Sequence, residues 1–306
     1  MPSANRYTTT EFINSVKRRA HIPLNQTPFD NDGILALANE EQEAGIVSQI
    51  LSARENYYAT YTDLPLNSEN IYDIPTRAIG GALSDVQIVN GTAILPVSRS
   101  EINDQFSTVT SPTGGYAFML VGNSVQILPN PVAGVIRLWH YRAPNQMVQT
   151  SEAAQITARA GNVLTFSTIP STITTSSPCD IIKDQPGFEW LGVDLTPVNV
   201  TATTIEFSSV DDSVAVGDWV ALAGQTPVPQ IPKEFRTLLV QRTTIKYYEA
   251  QGYFDKMKVA EKKLETLEKE VMALINPRVA EVPKRIVSPF GVIGKSRRWR
   301  RQWTAN

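Results

Sequence analysis

The residues Tyr253, Met257, Ala260, Leu264, Leu267, Val271 and Leu274 constrain this chain more than any other feature. They are spaced 4, 3, 4, 3, 4, 3 with charged residues between them. That is the a/d period of a helix over three heptads. Ahead of them, Phe235, Leu238, Leu239, Ile245 and Tyr248 recur at helical spacing after Pro232, which suits a helix's first turn. Gly252 separates the two runs, and Asn276-Pro277 ends the second, because the residue before proline is pushed out of the α region. Residues 229–277 thus read as a helical hairpin. A two-position seam is narrower than an ordinary amphipathic face. It packs on the chain's own helices or, in part, on a neighbouring subunit.

A hairpin with such a seam needs helical partners, and the N-terminal 66 residues offer them. Thr8 and Glu11 have capping-box spacing ahead of Phe12, Ile13 and Val16, predicting a helix from about Thr9 to Ala20 closed by Pro23. A longer helix is expected from Asp32, as its cap, through Ile34, Leu37, Val47, Ile50, Leu51, Tyr58 and Tyr61, ending at Leu64-Pro65. Asp30, Asp32 and Gly33 resemble part of a calcium loop, but helix capping is the reading preferred.

From Glu69 the apolar period changes from near 3.6 to 2. Val86–Val89 and Thr92–Leu95 flank Asn90-Gly91, a strong hairpin signal. Tyr116–Val121 and Val125–Leu128 flank a second turn, Gly122-Asn123-Ser124, and Val135–Tyr141 makes a further strand. Residues 67–148 therefore read as an antiparallel β domain. After Gln149, Val163–Phe166, Asp180–Ile182, Thr204–Phe207 and Trp219–Leu222 read as strands of a small barrel or sandwich inserted at 149–228, with Ile169–Ser177 a loop. The fold class is α+β: a bundle of the N-terminal helices and the C-terminal hairpin, two β units between them, and an extended arm at 278–306.

The arm differs from the rest in charge. Residues 278–306 hold eight basic side chains against one acid, Glu281, so that a chain of net charge −2 has a body of net −9. Lys295, Arg297, Arg298, Arg300 and Arg301 surround Trp299 and Trp303, and Phe290 lies in the apolar, Pro- and Gly-containing run before them. Arg and Trp are the residue types that most often anchor protein interfaces; the same cluster can neutralise phosphates and stack on bases, or remain solvated. Docking on an acidic protein surface is the reading adopted, because a body of net −9 opposes nucleic acid.

Chemistry is sparse. His21 and His140 are the only histidines and neither has metal-ligand spacing, so no metal or cofactor is expected. Cys179 stands alone, which excludes an intramolecular disulfide and reads as a buried structural thiol in a reducing compartment. No nucleophile elbow, dinucleotide-binding pattern or phosphate loop is present. Asp211-Asp212 reads as a solvated loop rather than a carboxylate pair, and Gly80-Gly81 and Gly114-Gly115 read as turns. No run approaches the 18 or more apolar residues of a membrane span. A non-enzymatic protein is expected.

The order of parts resembles the head-to-tail adaptor, or connector, proteins of tailed bacteriophages. The resemblance is carried by the N-terminal helices, Ile71-Tyr-Asp-Ile-Pro-Thr-Arg-Ala-Ile-Gly-Gly, Leu128-Pro-Asn-Pro, Val216-Gly-Asp-Trp-Val and Pro229-Gln-Ile-Pro-Lys-Glu-Phe before the closing helices. It implies a homo-oligomeric ring of twelve copies in the virion, below the portal protein and above tail nozzle or tail fibre proteins. DNA would pass through that channel without specific binding, and the arm would reach the portal. A rival class is a tail component that binds host glycan through the 149–228 module.

Overall fold

Helices early and late in the described chain meet in one apolar core. The computed structural model describes residues 7–22, 30–99, 116–129, 131, 133–184 and 190–275. In it the chain is α+β with several largely antiparallel sheets and few helices. Helix α1 spans Thr9–Arg19, and the Thr8 amide donates to Glu11 Oε2 at 3.2 Å, the reciprocal half of a capping box. Helix α2 spans Asn31–Glu41. Its cap is Asp30, whose Oδ1 accepts from the Gly33 amide at 2.7 Å, and not Asp32, which lies in the first turn.

After α2 the helix widens into a π-turn, Gln42–Ile46, and continues as α3, Val47–Ala53. The absence of a Cβ at Gly45 leaves room for the Arg242 guanidinium, which a side chain there would push aside. That guanidinium bridges Glu41 at 3.2 Å and Glu268 at 2.6 Å. The long helix expected through Tyr61 ends sooner. Glu55–Tyr58 is a 3-10 turn, and Ala59–Pro65 is a strand, β1. Tyr and Thr alternate in Thr60-Tyr61-Thr62, and aromatic and β-branched side chains fit a pleated surface better than a helix.

Helices α4, Lys233–Ala250, and α5, Phe254–Ile275, form the hairpin. Phe12, Ile34, Ile46, Ile50, Phe235, Leu238 and Leu239 are fully or almost fully buried in one cluster that also takes Val271 and Ile275. Along α5 the heptad positions are buried or partly buried in the middle and exposed at both ends. Ala260 and Val271 are buried, and Met257, Leu264 and Leu267 are partly buried against the helical clusters. Tyr253 and Leu274 are 46% and 63% exposed, and Ile275 takes the buried place. A seven-residue repeat drifts around a straight helix of 3.6 residues per turn, so a seam packed on α4 shifts by one position by its end.

The first β unit holds two four-stranded sheets. One has the order β1-β8-β3-β4, with β3 Ala78–Asn90, β4 Ala93–Pro96 and β8 Val135–Arg142, all antiparallel. The other is β2-β7-β6-β5, with β2 Ile71–Asp73, β5 Ser98–Arg99, β6 Ala117–Val121 and β7 Ser124–Leu128; here β5 runs parallel to β6. Val86, Ile88, Ile136 and Leu138 of the first face Phe118, Val125 and Ile127 of the second in one cluster. Gly80 and Gly81 are not a turn between strands: they lie inside β3 at positive φ, where its register against β8 shifts.

The second unit is entered and left through a parallel pair, β9 Gln146–Met147 against β17 Gln225–Thr226. Between them lie β10 Ala154–Ala160, β11 Val163–Phe166, β12 Cys179–Ile182, β13 Trp190–Leu195, β14 Pro197–Val200, β15 Thr204–Phe207 and β16 Trp219–Leu222. They form one seven-stranded sheet, β13-β12-β16-β10-β11-β15-β14, around Leu164, Ile181, Ile205 and Val220. No closed barrel is found among the described residues: no ladder joins β13 to β14. Strand β10 pairs β16 through Ala154 and Gln155 and β11 from Ile156 onward, so it belongs to both halves.

Candidate functional site: a buried polar clasp where three units meet

Asp180 is an acid within an apolar strand, and it is completely buried. An unpaired carboxylate there would be prohibitively costly. Its surroundings supply four donors. Oδ2 accepts from Arg77 at 2.6 Å, from Asn145 Nδ2 at 2.7 Å and from the Gly224 amide at 3.0 Å, and Oδ1 accepts from the Asp194 amide at 3.0 Å. Asp194 turns that amide inward by adopting a left-handed φ of 53°, beside the irregular register of β12 and β13. Its own carboxylate receives the second nitrogen of Arg77 at 2.6 Å. One guanidinium from the turn before β3 therefore holds two acids of the inserted unit.

Asn145, on the link between β8 and β9, is the second hub. Its amide donates to Gln230 Oε1 at 2.7 Å, its carbonyl accepts from Gln42 Nε2 at 3.2 Å, and Nδ2 also reaches the Gln225 carbonyl at 3.1 Å. Its Oδ1 accepts from Trp190 Nε1 at 3.3 Å. Every polar group of Asn145 is used, and the partners are Gln42 of the helical core, Gln230 ahead of α4, Gln225 at the exit of the inserted unit, and Asp180 and Trp190 on its strands. Nearby, Asn39 on α2 acts as an extra strand residue: it donates to the Met147 carbonyl at 3.1 Å and accepts its amide at 2.8 Å.

A groove of about 430 Å³ opens beside the clasp, lined in part by Asp63, Arg77, His140, Arg142 and Asp194. Arg142 lies over the Trp190 ring, 5.0 Å from guanidinium carbon to ring centre. Burial, then the charge of Arg77, pushes its pKa down. His140 is 1% exposed, with Nδ1 3.2 Å from the Leu138 carbonyl and Nε2 without a partner. Burial pushes its pKa down, so the ring is held neutral. The arrangement ties the units together and lines the groove with the Arg142 charge.

Other candidate groups are dispersed. Cys179 is buried and burial raises its thiol to about 12. Asp211 accepts from the Ser213 amide at 2.8 Å and from its hydroxyl, while Arg159 pins the same loop through the Asp211 and Val214 carbonyls, both at 2.9 Å. Among the described residues no group of three or more His, Cys, Asp or Glu is placed to hold a metal ion, and no helix is long and apolar enough to cross a membrane.

Of the residues expected to form a docking site, Phe290, Lys295, Arg297, Arg298, Trp299, Arg300, Arg301 and Trp303 lie outside the described residues. The helical seam lies against α4 and the N-terminal helices, remote from the clasp. Sequence reasoning missed Asp180, Asn145 and Gln230. A signal existed for two members: an acid inside the strand Cys179-Asp-Ile-Ile demands a buried partner, and Arg77 lies in the Ile71–Gly81 stretch. In comparison with known proteins, no family model matches the chain, and no curated protein matches it.

Proposed function

We propose that this chain is a structural head-to-tail adaptor of a tailed bacteriophage. The observation that carries the reading is the joining of sequence-distant helices: α1–α3 and α4–α5 share one core, with two β units set between them and pinned to it by Asn145. This is the order of parts that resembles the adaptor family. Its finer form is a helical bundle that stacks on the portal, an antiparallel β domain, and an inserted sandwich-like unit.

Twelve copies would close into a ring in the virion, with the portal above and nozzle or tail fibre proteins below. Closure satisfies a head-to-tail interface that would otherwise propagate. A body of net −9 lets DNA slide through rather than adhere. The basic, tryptophan-containing arm is the portal-docking element, and its charge complements acidic partner surfaces. The role is mechanical and uses no catalytic site or cofactor.

The test is co-sedimentation with purified portal. The full chain binds, a chain ending at Ile275 stays folded but does not, and Trp299→Ala with Trp303→Ala weakens binding. Unchanged binding by the truncated chain refutes docking through the arm.

A further inference from the structure

Among the described residues the sheet β1-β8-β3-β4 has no further strand at either edge, and its last strand is unusual. All four residues of β4 are exposed, including Ile94 at 54% and Leu95 at 42%. The strand is short and ends in Pro96, both of which limit an edge, but Ala93-Ile94-Leu95-Pro96 carries no charge to repel a further strand. Among the described residues β4 pairs only with β3, and β1 only with β8.

The side chains form rows across this sheet. Leu64 pairs with Ile136, Ile136 with Ile88, and Ile88 with Leu95. The two central residues are buried; Leu64 is half-buried, and Leu95 projects beyond the cover of the second sheet. A second row on the opposite face, Pro65–Val135–Val89–Ile94, also runs to both edges. Apolar rows that end at two open edges have unsatisfied neighbours on both sides.

Strand direction selects the neighbour. Every pairing in the sheet is antiparallel, so four strands alternate in direction and β1 runs opposite to β4. A second copy placed beside the first in the same orientation therefore sets its β1 antiparallel to β4, the pairing that the rest of the sheet uses. We propose that β4 of one copy adds to β1 of the next, making a continuous ladder between subunits. The contact is head-to-tail, uses two different edges, and extends the row from Leu95 onto the neighbour's Leu64. It deepens the adaptor reading, on which it rests, by naming the surface that closes the ring.

Two edge variants test it. Leu95→Lys blocks β4 and Thr62→Lys blocks β1, and the oligomer is read by native mass spectrometry beside thermal melting. Each variant alone is folded and monomeric, whereas their mixture yields a heterodimer through the one intact β4 and the one intact β1. If either lysine variant fails to fold, Leu64→Cys with Leu95→Cys is joined by a short bismaleimide, the native Cys179 being buried, and yields a covalent ladder of subunits. Folded variants that still assemble, a mixture that stays monomeric, or a cysteine pair that joins no subunits overturns the ladder while leaving a ring formed by the unaltered chain intact. An unaltered chain that stays monomeric at high concentration and with portal overturns the adaptor reading as well.

Discussion

The Arg77 guanidinium donates to Asp180 Oδ2 at 2.6 Å across 103 residues of chain, joining the turn ahead of β3 to a fully buried strand of the inserted unit. Because Asp180 is fully buried, its charge is satisfied by this contact and the Asn145 contact, which tie the inserted unit to the first β unit and to the link before β9. These polar contacts act beside apolar ones, since Ile79 and Tyr141 of the first β unit and Trp190 of the inserted unit also pack against the helical core.

Removing one partner strands the other. Arg77→Ala leaves a buried carboxylate without its cation and is expected to cost about 3–5 kcal/mol. Asp180→Ala should cost a comparable amount, and the double variant less than the sum, because both changes break one contact. Denaturant melts of the four proteins measure this, and additive losses would show that the two residues act separately.

The seam gives a graded series. Val271→Asp places a charge among buried side chains and should cost several kcal/mol, on the order of what burying an unpaired charge demands. Leu264→Asp and Leu267→Asp, at partly buried positions, should cost less. Leu274→Asp should fall within about 0.5 kcal/mol of the unaltered chain, as exposed substitutions do. Thermal unfolding of the four variants reads the order directly.

His140 makes stability depend on pH. Its folded pKa is depressed, chiefly by burial, so below the ordinary histidine value of about 6.5 the unfolded chain takes up the proton first. Stability therefore falls as pH drops from about 6.5 toward the lower folded pKa and levels off below it. His140→Gln removes this component. Unfolding free energies across that window, with and without the substitution, should differ in slope, and equal slopes would show that the ring is not held neutral.

Cys179 reports opening of the inserted unit. With its thiol buried and raised to about 12, little thiolate forms at neutral pH. Native protein should react with a maleimide far more slowly than unfolded protein, and Arg77→Ala should speed that reaction by loosening the strand beside it.

Local features were legible in the sequence and distant ones were not. Thr8 with Glu11 and Gly252 fix their elements through neighbours a few residues away and lie where their chemistry places them; the hairpin forms as expected but its turn falls one residue on, at Gly91-Thr92, with Asn90 paired to Ala93. The fate of Tyr58 to Tyr61 was decided by β8, more than 70 residues on, so a helical period running out of Leu51 was misleading. Leu274 was misassigned because a heptad count ignores the drift of a straight helix. The clasp was hidden because no local pattern joins Arg77, Asn145 and Asp180; only the demand of a buried acid for a partner hinted at it.

The proposed adaptor role requires a ring in line with the portal, and electron microscopy of the purified protein mixed with purified portal decides it. Closed rings stacked on the portal along a shared axis, with an open central channel, are expected. Separate portal rings among unassembled monomers, at concentrations where both proteins are folded, would contradict it.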